Sequence, residues 1–118
     1  MNPYDQARVL AATLKRSDEY IAYCAAKEKA FALEANVKLI RRYKKEQFKA
    51  QAAVMSGGQI PPDTAEKLRR MGNVVQFNRD VSDFLQAEYR INQMMNDIFR
   101  ILGDAVDLDL SFMDADVE

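Results

Sequence analysis

The sequence predicts an all-α fold, a long antiparallel helical hairpin with short N-terminal and connecting helices. Three observations carry this. Residues 4–56 contain no Gly or Pro and are rich in Ala, Lys, Glu, Arg and Leu, a composition that favours helix almost throughout. Gly57-Gly58 and Pro61-Pro62 then punctuate the chain, as a stop and restart signal should. Beyond them, apolar residues recur on a seven-residue grid to the end of a second long segment. The chain has 118 residues, 48% apolar and 30% charged, which is the composition of one globular domain.

Each element can be argued in turn. One straight helix of 53 residues would run about 80 Å at the standard rise, whereas a compact domain of ~100 residues has a radius of gyration near 13 Å. A break is expected at Arg16-Ser17-Asp18-Glu19, where Ser17 can cap a new helix and the two acids suit its positive end. The first helix is therefore placed at 4–15 and a long second one at 18–56. Asp63 and Glu66 form a capping-box-like pair that opens a connecting helix over 63–76. Asn78 or Asp80 can cap the last helix, 79–103. On its grid Val81, Glu88, Met95 and Leu102 share one position and Phe84, Ile91 and Ile98 the next, with Leu85, Phe99 and Val106 beside them. The second helix carries a weaker stripe of Tyr20, Cys24, Phe31, Val37, Ile40, Phe48 and Met55. It outlasts the last helix by roughly 18 Å of rise, and the uncovered surplus predicts self-association. Residues 1–103 form the helical domain, and 104–118 an acidic, flexible tail.

Composition excludes much chemistry. There is no His and one Cys, so no Ser-His-Asp or Cys-His pair, no imidazole-bound metal, no intrachain disulfide and no four-thiolate zinc site can be assembled. The N-terminus MNPYDQARVL lacks the apolar core of a signal peptide, and no uncharged run approaches the ~20 residues of a membrane span. A cytoplasmic protein with no cofactor and no small-molecule substrate is expected, with Cys24 as a small packed side chain. The net charge of −1 conceals an asymmetry. Residues 104–118 hold six acids and no base, and the remainder is therefore +5.

Four features could carry function. Lys38, Arg41, Arg42, Lys44, Lys45 and Lys49 surround one acid, Glu46. Arg41 to Lys45 point around more than a full turn, but Arg41 and Lys45 align with Lys38. Lys38, Arg41, Arg42, Lys45 and Lys49 are the candidate interaction surface. It could meet an acidic protein face, including the chain's own tail. In a second reading it serves a nucleic-acid accessory protein, its cations on phosphates and Tyr43 on bases. Glu88 interrupts the apolar seam of the last helix. It could act with Asp97 or Glu34 in metal or acid–base chemistry, but the favoured reading is a residue that specifies register or partner, paired with an Arg of a neighbouring helix. Met94 and Met95, with Met55 and Met71, are read as core fillers. The tail's Asp107-Leu108-Asp109-Leu110 lacks the turn-forming Gly of a calcium loop, and reads as a frayed end with a sticky edge at Leu110 and Phe112.

Leu14-Lys15-Arg16-Ser17-Asp18-Glu19-Tyr20, the long helix, the Gly-Gly/Pro-Pro connection and Val81-Ser82-Asp83-Phe84-Leu85-Gln86-Ala87-Glu88 together resemble the YlbF/YmcA-like family of small helical bacterial proteins, over about residues 5–105. The resemblance implies an all-helical subunit that forms dimers or larger homo-oligomers and has no known catalytic residues. It also implies a cytoplasmic regulatory adaptor, of the kind that acts in competence, biofilm formation and sporulation within a complex tied to ribonuclease Y and messenger-RNA processing. Certain members are linked to iron–sulfur clusters, which need several thiolates; here Cys24 is alone. The acidic ending after Asp104 lies outside the family pattern. The expectation is thus a non-enzymatic adaptor whose partners are a second copy of itself, as a homodimer or higher oligomer, and another protein.

Overall fold

The computed structural model describes residues 2–107, and these form five helices: α1 (Pro3–Lys15), α2 (Asp18–Phe31), α3 (Glu34–Met55), α4 (Pro62–Phe77) and α5 (Arg79–Val106). The all-α class follows the sequence. So do most of the boundaries, because the local signals operate as their chemistry requires. The Asn2 side chain accepts from the Asp5 amide, Ser17 from Tyr20 and Asn78 from Val81, each taking up one orphan donor at a helix start. Gly57, with φ of +84°, supplies the left-handed residue that ends α3. No helix among the described residues is long and apolar enough to cross a membrane.

Two expectations are corrected. The single helix over 18–56 is in fact two, broken at Ala32-Leu33, where Leu33 turns extended (φ −110°, ψ 125°). Nothing local demands this break. Leu33 offers no side-chain cap, and both residues favour helix. Tertiary packing overrides propensity instead: α2 packs along α5 while α3 packs along α4, and one straight rod could not follow both. The elbow places Ala30, fully buried, in the core with Ile40, Val75, Val81 and Phe84. At α4 the capping box does not form. Pro61 is the N-cap without a side-chain bond, while Asp63 pairs with Lys67 and Glu66 with Arg69 and Arg70.

Both helix pairs run antiparallel. Tyr23 and Phe31 of α2 lie with ring centroids 5.7 and 5.2 Å from that of Phe84, near the start of α5. In the other pair, a Cβ on Gly72 of α4 would sit 3.8 Å from the Tyr43 hydroxyl of α3. The pairs are pinned where they meet: Asn78 donates to the buried Asn36 Oδ1 at 2.9 Å while its own Oδ1 caps α5. Tyr23, Ala26, Leu39, Tyr43 and Leu85 complete the core around the five buried residues. Helix α1 contributes no buried residue.

The resulting molecule is broad and thin, 52 × 38 × 17 Å in principal extents. Its radius of gyration of 17.3 Å exceeds the ~13 Å of a compact domain of this length. A layer so thin covers few side chains on both sides. Its shape, rather than its hydrophobic content, limits the core.

Candidate interaction site

The functional candidates fall on three surfaces. The first is an open hollow of about 610 Å³ between α3 and α5, lined by Tyr43, Lys44, Gln47, Leu85, Glu88 and Tyr89 among others. Lys44 reaches across it and donates to Glu88 Oε2, an ion pair that joins α3 to α5. Lys44 also lies 5.7 Å from the centroid of the Phe84 ring, so the cation is held between a carboxylate and an aromatic face. Glu88 therefore has a basic partner from a neighbouring helix, a Lys rather than an Arg. Asp97 and Glu34 are engaged elsewhere, Asp97 with Arg100 and Glu34 with Lys38. No group of three or more His, Cys, Asp or Glu that could hold a metal occurs among the described residues.

The second surface is the outward side of α3. Lys44 and Tyr43 turn toward the hollow, and once they are set aside the basic stretch is orderly. Positions 38, 41, 42, 45 and 49, at about 100° per residue, fall within a sector of about 100°. Arg41, Arg42 and Lys45 are exposed and have no acidic partner among the described residues, whereas Lys38 and Lys49 lean on Glu34 and Glu46 of the same helix. Phe48, expected on the inward stripe, is 72% exposed and borders this cationic sector. The inward places are taken by Asn36, Ile40, Glu46 and Ala50.

Glu46 is a residue the sequence did not single out. It is only 6% exposed; Oε2 meets Lys49 at 3.3 Å, and Oε1 has no hydrogen-bond partner among the described residues. Its only sequence signal was its place in the helical period, at the edge of the cationic sector about 40° beyond Arg42 and next to the inward Ala50. Other groups depart from expectation in the reverse sense. Cys24 is exposed rather than packed, because α2 directs Tyr23, Ala26 and Ala30 inward. Hydrogen bonding with Cys24, and then its charge, raise the pKa of the nearby Tyr20 hydroxyl. On α4, the hydrogen bond from Arg69, reinforced by Arg70, holds the Glu66 carboxyl below its usual value.

The third surface is the distal part of α5. Its seam, Val81-Phe84-Glu88-Ile91-Met95-Ile98-Leu102 with Val106 beside its next grid position, begins in the core, with Val81 fully buried and Phe84 2% exposed. It ends in the open, with Leu102 at 52% and Val106 at 63%. The period does not change along the way; the covering helices run out. Met94 and Met95 are half-buried on this stretch. Helix α5 also passes the expected limit at Gly103, while Leu110 and Phe112 lie outside the described residues.

Known proteins share this arrangement. The family described as control of competence regulator ComK, YlbF/YmcA, matches residues 4–107. A UPF0342 protein of Symbiobacterium thermophilum is 38% identical over 109 residues, covering 92% of this chain and 97% of its own length. Another, from Clostridium tetani, is 34% identical over 112 residues, covering 95% and 97%. Among solved structures, a chain of the crystal structure of Bacillus subtilis RicA in complex with RicF shares the fold with a TM-score of 0.57 at 22% identity, over 88% of this chain and 92% of that one. The family matches across every helix described above, so this chain belongs to the YlbF/YmcA family.

Proposed function

We propose that the protein is a non-enzymatic cytoplasmic regulatory adaptor, which self-associates through the distal seam of α5 and presents its remaining helical faces to another protein. One observation carries the reading. An apolar seam that keeps its heptad period while passing from full burial to exposure requires a second surface, and a matching seam on another copy supplies one. The thin outline and α1, which contributes no buried residue, support it, because a single copy covers few of its own apolar side chains. RicA was crystallised with RicF, which supports association with other proteins as the way such a fold acts. The control of competence with which the family is described supports a regulatory role, with links to RNA processing, biofilm formation or sporulation as its specific settings. In this reading Glu88 sets partner choice: bound to Lys44, it keeps a charged interruption in an otherwise apolar seam.

Sedimentation equilibrium of the full chain tests the proposal. A dimeric or larger mass at micromolar concentration is expected, falling to the monomer for Leu102→Glu with Val106→Glu, since each adds a charge where apolar contact is required. A stable wild-type monomer overturns the reading. The same measurement on Glu88→Leu should show a changed mass, and an unchanged mass together with unchanged partner choice removes Glu88 from the argument.

A further inference from the structure

The cationic sector of α3 has no role in the seam contact and needs a separate occupant. Its chemistry is specific. Five basic residues, three of them unpaired within the described chain, form a strip about 16 Å long at the helical rise, with the exposed ring of Phe48 along one edge. An occupant must bring several negative charges at short spacing and at least one apolar group for Phe48. Residues 107–118, Asp-Leu-Asp-Leu-Ser-Phe-Met-Asp-Ala-Asp-Val-Glu, have that composition: five acids, no base, and Leu108, Leu110, Phe112 and Met113 among them. The −6 of residues 104–118 is opposed by the +5 of the rest of the chain, much of it concentrated on this one helix face.

We propose that the acidic segment 107–118 of one copy docks on Lys38, Arg41, Arg42, Lys45 and Lys49 of a second copy, with an apolar side chain of the segment against Phe48. This rests on the self-association proposed above. Reach decides between the two copies. Glu88 lies beside Lys44, and from Glu88 to Val106 α5 advances about 27 Å. Residues 108–118 span at most about 36–40 Å fully extended. Within one chain the segment would run back along α5 and then round to the outward side of α3, which brings only Asp114, Asp116 and Glu118 near the sector. A neighbouring copy can present the whole segment. The contact would be screened by salt, because every cation involved is exposed or partly so.

The test uses full-length protein carrying Cys24→Ser and Ser111→Cys, spin-labelled at position 111 and mixed into oligomers with isotope-labelled wild type. Expected is loss of the amide signals of Arg41, Arg42, Lys45 and Lys49 in the unlabelled-cysteine partner, restored in ~1 M salt, where the Debye length is about 3 Å. No loss on α3 in a sample that sediments as an oligomer overturns the docking and leaves self-association standing. A monomeric mass overturns self-association, read from sedimentation rather than from the amides. Signal loss only when spin label and isotope occupy the same chain overturns the exchange between copies. If α3 responds to a single-stranded oligoribonucleotide but not to the labelled segment, the face takes nucleic acid and the proposal falls.

Discussion

Asn78 shows how much one side chain can organise here. It closes α4, caps α5 through Oδ1 and donates through Nδ2 to Asn36, whose own burial leaves no water to replace that bond. Asn78→Ala removes the cap, worth about 1 kcal/mol, and leaves the Asn36 oxygen unsatisfied at a cost of about 1–3 kcal/mol. The urea midpoint should fall by the equivalent of about 2–4 kcal/mol with an unchanged slope. Asn78→Asp keeps the cap and loses only the donor, so it should fall between. Equal midpoints for Asn78→Ala and wild type would contradict the pinning role. The cap was legible in the sequence, since Asn stands just before an apolar period. Its second bond was not, because the 42-residue separation of Asn36 and Asn78 leaves no local trace. Glu46 was hidden for a related reason: seen among cations, its charge pointed to solvent, and only the packing of α3 on α4 turned it inward.

Among the elements, those set by local chemistry were legible and those set by packing were not. Ser17, Gly57 and Pro61-Pro62 act within a few residues of themselves, so α1, α4 and the starts of α2 and α5 emerged from the sequence. The elbow at Leu33 has no such signal. An Ala-Leu step in a helix-rich stretch bends only because α5 and α4 pull the two halves along different partners. The same absence of a cap makes the elbow a place where stability can be gained. Leu33 is well exposed and already extended, the conformation an N-cap needs. Leu33→Asp should accept from the first free amides of α3 and suit its positive end. The thermal midpoint should rise by the equivalent of about 1 kcal/mol, with little change in helix content by circular dichroism. A lowered midpoint would mean that Leu33 contributes burial the single copy does not display.

At the scale of the whole molecule, the uncovered apolar surface lies elsewhere than the sequence predicts. The sequence located the uncovered surplus on one long second helix. With that helix broken into α2 and α3, the overhang moves to α5, whose seam outruns its cover at Leu102 and Val106. A layer 17 Å thick with seven buried apolar residues among those described has little hydrophobic stabilisation of its own, since burial scales with area removed from water. Folding and association should then be one equilibrium. For a dimer that unfolds to two chains, each tenfold rise in protein concentration adds about 1.4 kcal/mol to the apparent stability by mass action. For a protein of this size that corresponds to roughly 3–5 °C in Tm. Calorimetric scans across two decades of concentration should show such a climb for wild type and a flat, lower Tm for Leu102→Glu with Val106→Glu. A concentration-independent Tm in the wild type would mean that the thin helical layer holds itself together, and that the open seam of α5 is reserved for a different protein.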